Sequence, residues 1–154
     1  YESKTDEIVI NIDYSNKNYA VCMFNTYAEK VSENSNETCF EFSNDIIFSD
    51  INLKNNIAVV EKQSSGNFSY AYQMRIKSTA NKNESLFILN DSMPKSIMTY
   101  GNNVGINYGN EIKIVNSNGW LMKRYTSEKE VKSLVLGEKI AGVVYKDRIE
   151  IINF

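Results

Sequence analysis

Short runs of alternating apolar and polar residues fill most of the chain, and turn-forming clusters separate them. Alternation with a period of two over four to eight residues marks a strand with one buried face. It predicts strands at Glu7–Ile12, Tyr19–Phe24, Glu37–Phe42, Asp45–Ile51, Asn56–Glu61, Tyr70–Lys77, Ser85–Leu89 and Ser96–Tyr100. Downstream the pattern repeats itself. Residues 104–116 (VGINYGNEIKIVN) align without a gap on residues 141–153 (AGVVYKDRIEIIN), at an offset of 37. Five of the thirteen positions are identical: Gly105/Gly142, Tyr108/Tyr145, Ile112/Ile149, Ile114/Ile151 and Asn116/Asn153. Each copy reads as a β-hairpin, with Gly109-Asn110 or Lys146-Asp147 as its connection. Gly-Asn suits a turn that needs positive φ, and Lys-Asp suits it less well.

Between the hairpins come the turn cluster Asn116–Gly119, a strand Trp120–Tyr125, a polar stretch Thr126–Glu130 and a strand Val131–Leu136. One 37-residue period therefore holds four strands, the content of a propeller blade. The whole chain reads as about fourteen strands, or roughly three and a half blades. The expected fold is all-β: a single domain over residues 1–154 made of four-stranded antiparallel blades, with the blade repeat clearest in 104–154. Thr26–Ser35 and Tyr125–Leu136 are the stretches whose composition also suits a helix. The one proline, Pro94, falls in a connection, where its missing donor does no harm. Gly105 and Gly142 recur, so equivalent roles are expected of them, as sites of close backbone approach or a bulge. An arc of this size leaves an apolar blade face and a strand edge open. Further blades upstream, or an oligomeric partner, are expected to cover them. The first residue is Tyr1, so the chain reads as an excised or processed segment.

The stretches Ile57–Val60, Asn110–Asn116, Asn118–Leu121 and Ile140–Ile152 resemble the C-terminal blades of a family of low-GC Gram-positive bacterial proteins, the domain of unknown function 5711. The resemblance is strongest over residues 55–154. It implies a propeller of the WD40 or quinoprotein type, anchored by an N-terminal transmembrane helix that this chain lacks, and therefore an extracytoplasmic, surface location. It brings no catalytic residues.

Chemistry is sparse. The chain has no histidine, which removes His-dependent triads, His metal sites and imidazole pH switches. Net charge is −2, without the basic excess of a nucleic-acid binder. Residues 1–77 carry net −4 and residues 78–154 net +2. No phosphate-binding glycine loop or EF-type calcium loop occurs, so neither cofactor nor metal is expected. Asp45, Asp50 and Asp91 read as turn residues. Asp13, Glu61, Glu111 and Glu150 are the carboxylates available for a glycosidase-like pair, though the charge swaps between the repeat copies point outward to solvent. No apolar run is long enough to span a membrane. Cys22 is expected to face a core and Cys39 a wetter face, as unpaired thiols or a bridge. Four Asn-x-Ser/Thr matches (Asn36, Asn67, Asn83 and Asn90) arise readily in a chain with 21 Asn and read as surface loops.

The residue type that stands out is aromatic. Tyr108 and Tyr145 recur just before the hairpin turns. With Tyr70, Tyr72, Tyr100 and Trp120 they form the candidate binding set, a platform for a protein or carbohydrate partner; the alternative role is packing between blades. The expected function is a non-enzymatic interaction, scaffold or ligand-binding module of a bacterial surface protein, with a ligand sensor as a third reading. The alternative is a fragment of a propeller-fold lyase or hydrolase whose active site lies in other blades.

Overall fold

A computed structural model describes residues 8–15, 19–52, 56–65, 69–78, 83–89 and 92–154. Among the described residues, fifteen strands and no helix make up the regular structure. Sheet 1 holds β1 (Asn11–Ser15), β2 (Tyr19–Met23), β3 (Tyr27–Ser32) and β4 (Asn36–Glu41). Sheet 2 holds β5 (Asp45–Asn52), β6 (Asn56–Ser65), β7 (Ser69–Ser78) and β8 (Glu84–Leu89). Sheet 3 holds β9 (Ser96–Tyr100), β10 (Asn103–Asn107), β11 (Glu111–Asn116) and β12 (Leu121–Thr126). Sheet 4 has three strands, β13 (Ser133–Leu136), β14 (Ile140–Val144) and β15 (Ile149–Asn153). Every sheet is an antiparallel meander in chain order. The first strands β1, β5, β9 and β13 pack each against the next, so the sheets fan out from a common axis in chain order.

The core is three layers between four sheets. Val21, Met23 and Ala28 of sheet 1 meet Ile46, Ile51, Ile57 and Val59 of sheet 2. Ala58, Val60, Met74 and Ile76, on the other face of sheet 2, meet Val104, Ile106 and Val115 of sheet 3. Ile112 and Ile114 of sheet 3 meet Leu134, Leu136, Ala141 and Val143 of sheet 4. The unbroken run Ile57-Ala58-Val59-Val60 is thus explained: its sheet is covered on both faces, so every position is buried.

The all-β architecture follows the sequence expectation, and two details differ. Tyr27–Ser32, which the alternation does not mark as a strand, is β3, because the edge of β2 needs a partner and Ala28 fills the first layer. The 37-residue period runs across a sheet boundary: β10, β11 and β12 belong to sheet 3, and β13 opens sheet 4. The two repeat hairpins do superpose in role. Tyr108 N donates to Glu111 O and Tyr145 N to Arg148 O, both at 2.8 Å, so the Lys146-Asp147 turn closes as the Gly109-Asn110 turn does. Gly109 takes φ 97°, the positive value its turn requires. Cys22 is buried and Cys39 half-buried, and both are free thiols.

The glycines at equivalent positions are not equally constrained. A Cβ on Gly105 would overlap the Leu134 side chain and lie 3.3 Å from Leu136. A Cβ on Gly142 would meet nothing closer than 3.6 Å. The expectation of equal roles is corrected accordingly: the close approach exists only where a following sheet is present. Gly105→Val is therefore expected to cost about 1–3 kcal/mol by overpacking, lowering Tm by several degrees, roughly 2–4 °C per kcal/mol. Gly142→Val should melt within about 1 °C of wild type in dilute solution. Paired thermal melts check both.

Candidate functional site

The fan has two rims. Among the described residues, the turns β3–β4, β9–β10, β11–β12 and β13–β14 lie on the first; β2–β3, β10–β11, β14–β15 and the connections β4–β5 and β12–β13 lie on the second. The second rim is locked by backbone bonds between sheets. Ile46 N of sheet 2 donates to Asn25 O of sheet 1 at 2.8 Å, and Val131 N, in the connection leading to sheet 4, donates to Gly109 O of sheet 3 at 2.7 Å.

The candidate aromatic residues divide between these rims. Tyr108, with Tyr72, packs into the layer between sheets 2 and 3. The Lys113 ammonium sits 5.1 Å from the Tyr108 ring centre. Burial, helped by Glu111, pushes the Tyr108 hydroxyl pKa up to about 12. Tyr145 is 5% exposed, in the layer between sheets 3 and 4. Its hydroxyl donates to Ser127 Oγ at 3.0 Å and lies 2.9 Å from the Tyr125 hydroxyl. Tyr125 in turn donates to Glu150 Oε2 at 2.5 Å, which raises its pKa well above the ordinary value. The Tyr70 side chain lies outside the described residues.

Tyr100 and Trp120 are different. Both stand on the first rim in sheet 3, Tyr100 46% and Trp120 73% exposed. Leu121 and Met122 follow Trp120, each at least half exposed. The turn carrying Trp120 is stiff. Asn116 Oδ1 accepts from Asn118 N and Trp120 N, both at 3.0 Å. Asn116 N donates to Trp120 O at 2.9 Å, and Gly119 N to Asn116 O at 2.8 Å. Gly119 supplies φ 82°, and a Cβ there would lie 2.9 Å from the Phe87 ring of sheet 2. Ser117 N donates to Asn102 O at 2.8 Å, tying this turn to the one after Tyr100. Asn56 Nδ2 donates to Gly101 O at 2.8 Å and ties both to sheet 2. The first rim of sheet 3 therefore presents an indole and a phenol on a braced platform. Asn-Ser-Asn-Gly ahead of Trp120 is the signal in the sequence, since side-chain capping by Asn and a left-handed Gly define a tight turn that leaves the next side chain outside.

The carboxylates are occupied structurally. Glu61 is fully buried and accepts from Asn44 Nδ2 at 2.9 Å, Gln73 Nε2 at 2.7 Å and the Arg75 guanidinium. Burial pushes its pKa up, but the bonds from Arg75, Asn44 and Gln73 outweigh this and hold it below the ordinary value. Asp50 accepts from Thr99 N at 2.5 Å and Thr99 Oγ1 at 2.8 Å, joining inner strands β5 and β9. Burial leaves its pKa raised. Among the described residues no group of three or more Cys, Asp or Glu is placed to hold a metal ion, and no helix is long and apolar enough to cross a membrane.

No family model matches the chain, and no curated protein does. Solved structures do. BBS1N, from a complex with ARL6, matches over 99% of this chain and 54% of its own length, with TM-score 0.68 and 7% identity. Hsv2 of Kluyveromyces marxianus matches over 97% of this chain and 49% of its own, with TM-score 0.59 and 13% identity. BamB of Moraxella catarrhalis matches over 92% of this chain and 42% of its own, with TM-score 0.55 and 11% identity. The fold is that of a β-propeller, and the chain is an arc spanning about half the length of the propellers it matches.

Glu61 and Asp50 give opposite pH signatures. The folded pKa of Glu61 lies below its unfolded value of 4.5, so its contribution is full above 4.5 and lost as pH falls through the folded value. The folded pKa of Asp50 lies above its unfolded value of 3.8, so its contribution is full below 3.8 and lost as pH rises through the folded value. Glu61→Gln should cost about 3–5 kcal/mol at neutral pH, with much of that difference gone in acid. Asp50→Asn should be neutral or stabilising at neutral pH and indistinguishable from wild type below pH 3.8. Urea denaturation at neutral and acid pH reads both.

Proposed function

We propose that this arc is a non-enzymatic interaction module that docks a protein partner on the first rim of sheet 3, with Trp120 as the anchor and Tyr100, at the opposite edge of the same sheet, as a second contact. The observation that carries the reading is Trp120 itself: a large aromatic, 73% exposed, on a turn closed by four hydrogen bonds. A preordered aromatic loses little conformational entropy on binding and buries a large area, which is why Trp and Tyr dominate interface hot spots. Leu121 and Met122 extend the apolar contact along the outer strand. Support for a protein partner comes from BBS1N, whose matching structure is a complex with ARL6. The occupied state of Glu61 and Asp50 supports a role without catalysis, because a general acid or base needs a carboxylate that reaches substrate. The resemblance to domain family 5711 supports an extracytoplasmic setting.

Trp120 is the sole tryptophan of the chain, so its fluorescence reports directly on the rim. Proteins captured from host extract by the wild-type chain should be lost with Trp120→Ala and reduced with Tyr100→Ala, while the melting temperature stays unchanged. Titration of a captured protein should quench or shift the indole emission, and Trp120→Ala should weaken affinity by about 2 kcal/mol or more, roughly 30-fold. Equal retention by wild type and Trp120→Ala would remove the first rim as the docking surface. Emission changes with oligosaccharides instead would move the reading to a carbohydrate ligand.

A further inference from the structure

The outer edge of sheet 3 has backbone groups that its own ladder leaves open. Among the described strands, β12 neighbours only β11. Ser127 N donates to Asn110 O at 2.8 Å, so the pair just beyond Glu111 and Thr126 is a hydrogen-bonded one. Antiparallel pairs alternate between bonded and unbonded. Tyr125 opposite Ile112 and Lys123 opposite Ile114 therefore turn their backbone groups into the sheet. The N–H and C=O of Arg124 and Thr126 point away from it, and both residues are exposed. Such an open row is a template for another strand.

Two features guard this edge against pairing with its like. The register shifts between Ile114 and Val115, with Met122 as the extra residue, so the edge is bulged. Lys123 and Arg124 stand next to each other on it, and like charges oppose self-pairing. Neither feature excludes an acidic strand. Arg124 lies opposite Lys113 and Lys123 opposite Ile114, so the two cations project to opposite faces. Strands β11 and β12 together carry Lys113, Lys123 and Arg124 against Glu111. Glu111 lies 3.1 Å from Lys113 and 3.6 Å from Arg124, and among the described residues Lys123 forms no ion pair. Other outer strands differ. β4 carries Glu37 and Glu41, which repel an acidic strand. β8 exposes Leu86 and Ile88, but its one charge is Glu84, paired with Arg75 and Lys77.

We propose that the partner docked at Trp120 is an extended acidic peptide segment that adds to β12 as a fifth strand of sheet 3. This rests on the rim reading, because Trp120 heads the same strand, and it names the partner's form and charge. The segment's backbone pairs with Arg124 and Thr126. Two adjacent carboxylates, one on each face, meet Arg124 and Lys123. Apolar residues beyond them reach Met122, Leu121 and Trp120, all at least half exposed.

The probe is a labelled synthetic peptide about eight residues long, with two adjacent glutamates among valines. Titrated into the whole chain at low salt, it should bind by fluorescence anisotropy and shift the indole emission. Thr126→Pro removes an outward N–H and no bond inside the sheet, so it should melt as wild type does. It should weaken the peptide about tenfold, whereas Thr126→Ala should not. N-methylation of alternate peptide amides repeats this arm without altering the protein. Lys123→Glu combined with Arg124→Glu should lose the glutamate peptide and gain a lysine-substituted one. Leu86 N–H also points outward, because Ser78 N donates to Asn83 O at 2.8 Å, so Leu86→Pro is the matching change on β8 and should leave binding intact. No binding at about 1 mM peptide, equal binding of the N-methylated peptide, or loss with Leu86→Pro instead of Thr126→Pro overturns strand addition. The rim reading then still stands if Trp120→Ala abolishes capture of a protein partner. Peptide binding that is lost with Thr126→Pro but indifferent to Trp120→Ala supports the edge and overturns Trp120 as the anchor.

Discussion

Each sheet of this chain has two apolar faces, and only a neighbouring sheet covers them. A sheet of three or four short strands is marginal alone, and stability in such an array is the sum of what each unit contributes and what it shares with the next. The residues obey this rule strand by strand. In sheet 2, Ile57 and Val59 enter one layer while Ala58 and Val60 enter the next, so four consecutive positions are buried. In sheet 4, which has a neighbour on one side, Leu134 and Leu136 are buried and Val135 between them is 52% exposed. The same constraint sets the value of each glycine. Gly105 is tightly constrained because a leucine from the next sheet presses on it, and a Cβ on Gly142 would meet nothing closer than 3.6 Å.

Much of this was legible before any coordinates. The hairpins at 104–116 and 141–153 lie where the repeat puts them, because alternation and turn chemistry are local signals that the tertiary fold reinforces. Tyr27–Ser32 was not legible as a strand. Its Ala-Glu-Lys sequence favours helix intrinsically, and only the long-range need of β2 for a partner overrides that preference. The blade boundary was hidden too. A period fixes spacing, but not the strand at which one sheet ends and the next begins; that depends on which faces meet. Among the aromatic residues, recurrence pointed to packing. Tyr108 and Tyr145 repeat because every junction between sheets needs filling there, and both sit in the layers. Trp120 is unrepeated, and the rim turn on which it stands could be read from Asn116-Ser117-Asn118-Gly119.

The polar groups fix how the layers register. Apolar faces slide over one another at little cost, whereas directional bonds between sheets do not. Asp50 clasps Thr99 across the inner strands. Asn44, in the connection between sheets 1 and 2, joins Glu61, Gln73 and Arg75. Tyr125, Tyr145, Ser127 and Glu150 form a third clasp between sheets 3 and 4. Each stands at a junction, and each uses side chains from both sides of it or from the segment that links them. Burying a carboxylate such as Glu61 is unfavourable unless every oxygen is bonded, and here the bonds are sufficient to hold its pKa down rather than up.

Two of the exposed apolar surfaces, the outer face of sheet 4 and the rim of sheet 3, are physically different, and the repeat separates them. The outer face of sheet 4 has internal counterparts: the same positions in sheet 3 are covered by the sheet that follows. Its exposure is a property of the end of an arc, and what satisfies it is another sheet. The rim around Tyr100 and Trp120 has no such counterpart, because sheets stack face to face and leave both rims to solvent. A following sheet would bury Ile149 and Ile151 and leave Trp120 where it is. The turn under Trp120 is nevertheless braced by Asn116, by Asn102 and, through Gly101, by Asn56 of sheet 2. Covering the end face and exposing the rim are therefore separable: a further sheet would complete the stack, and the rim is a surface that the completed stack would still present.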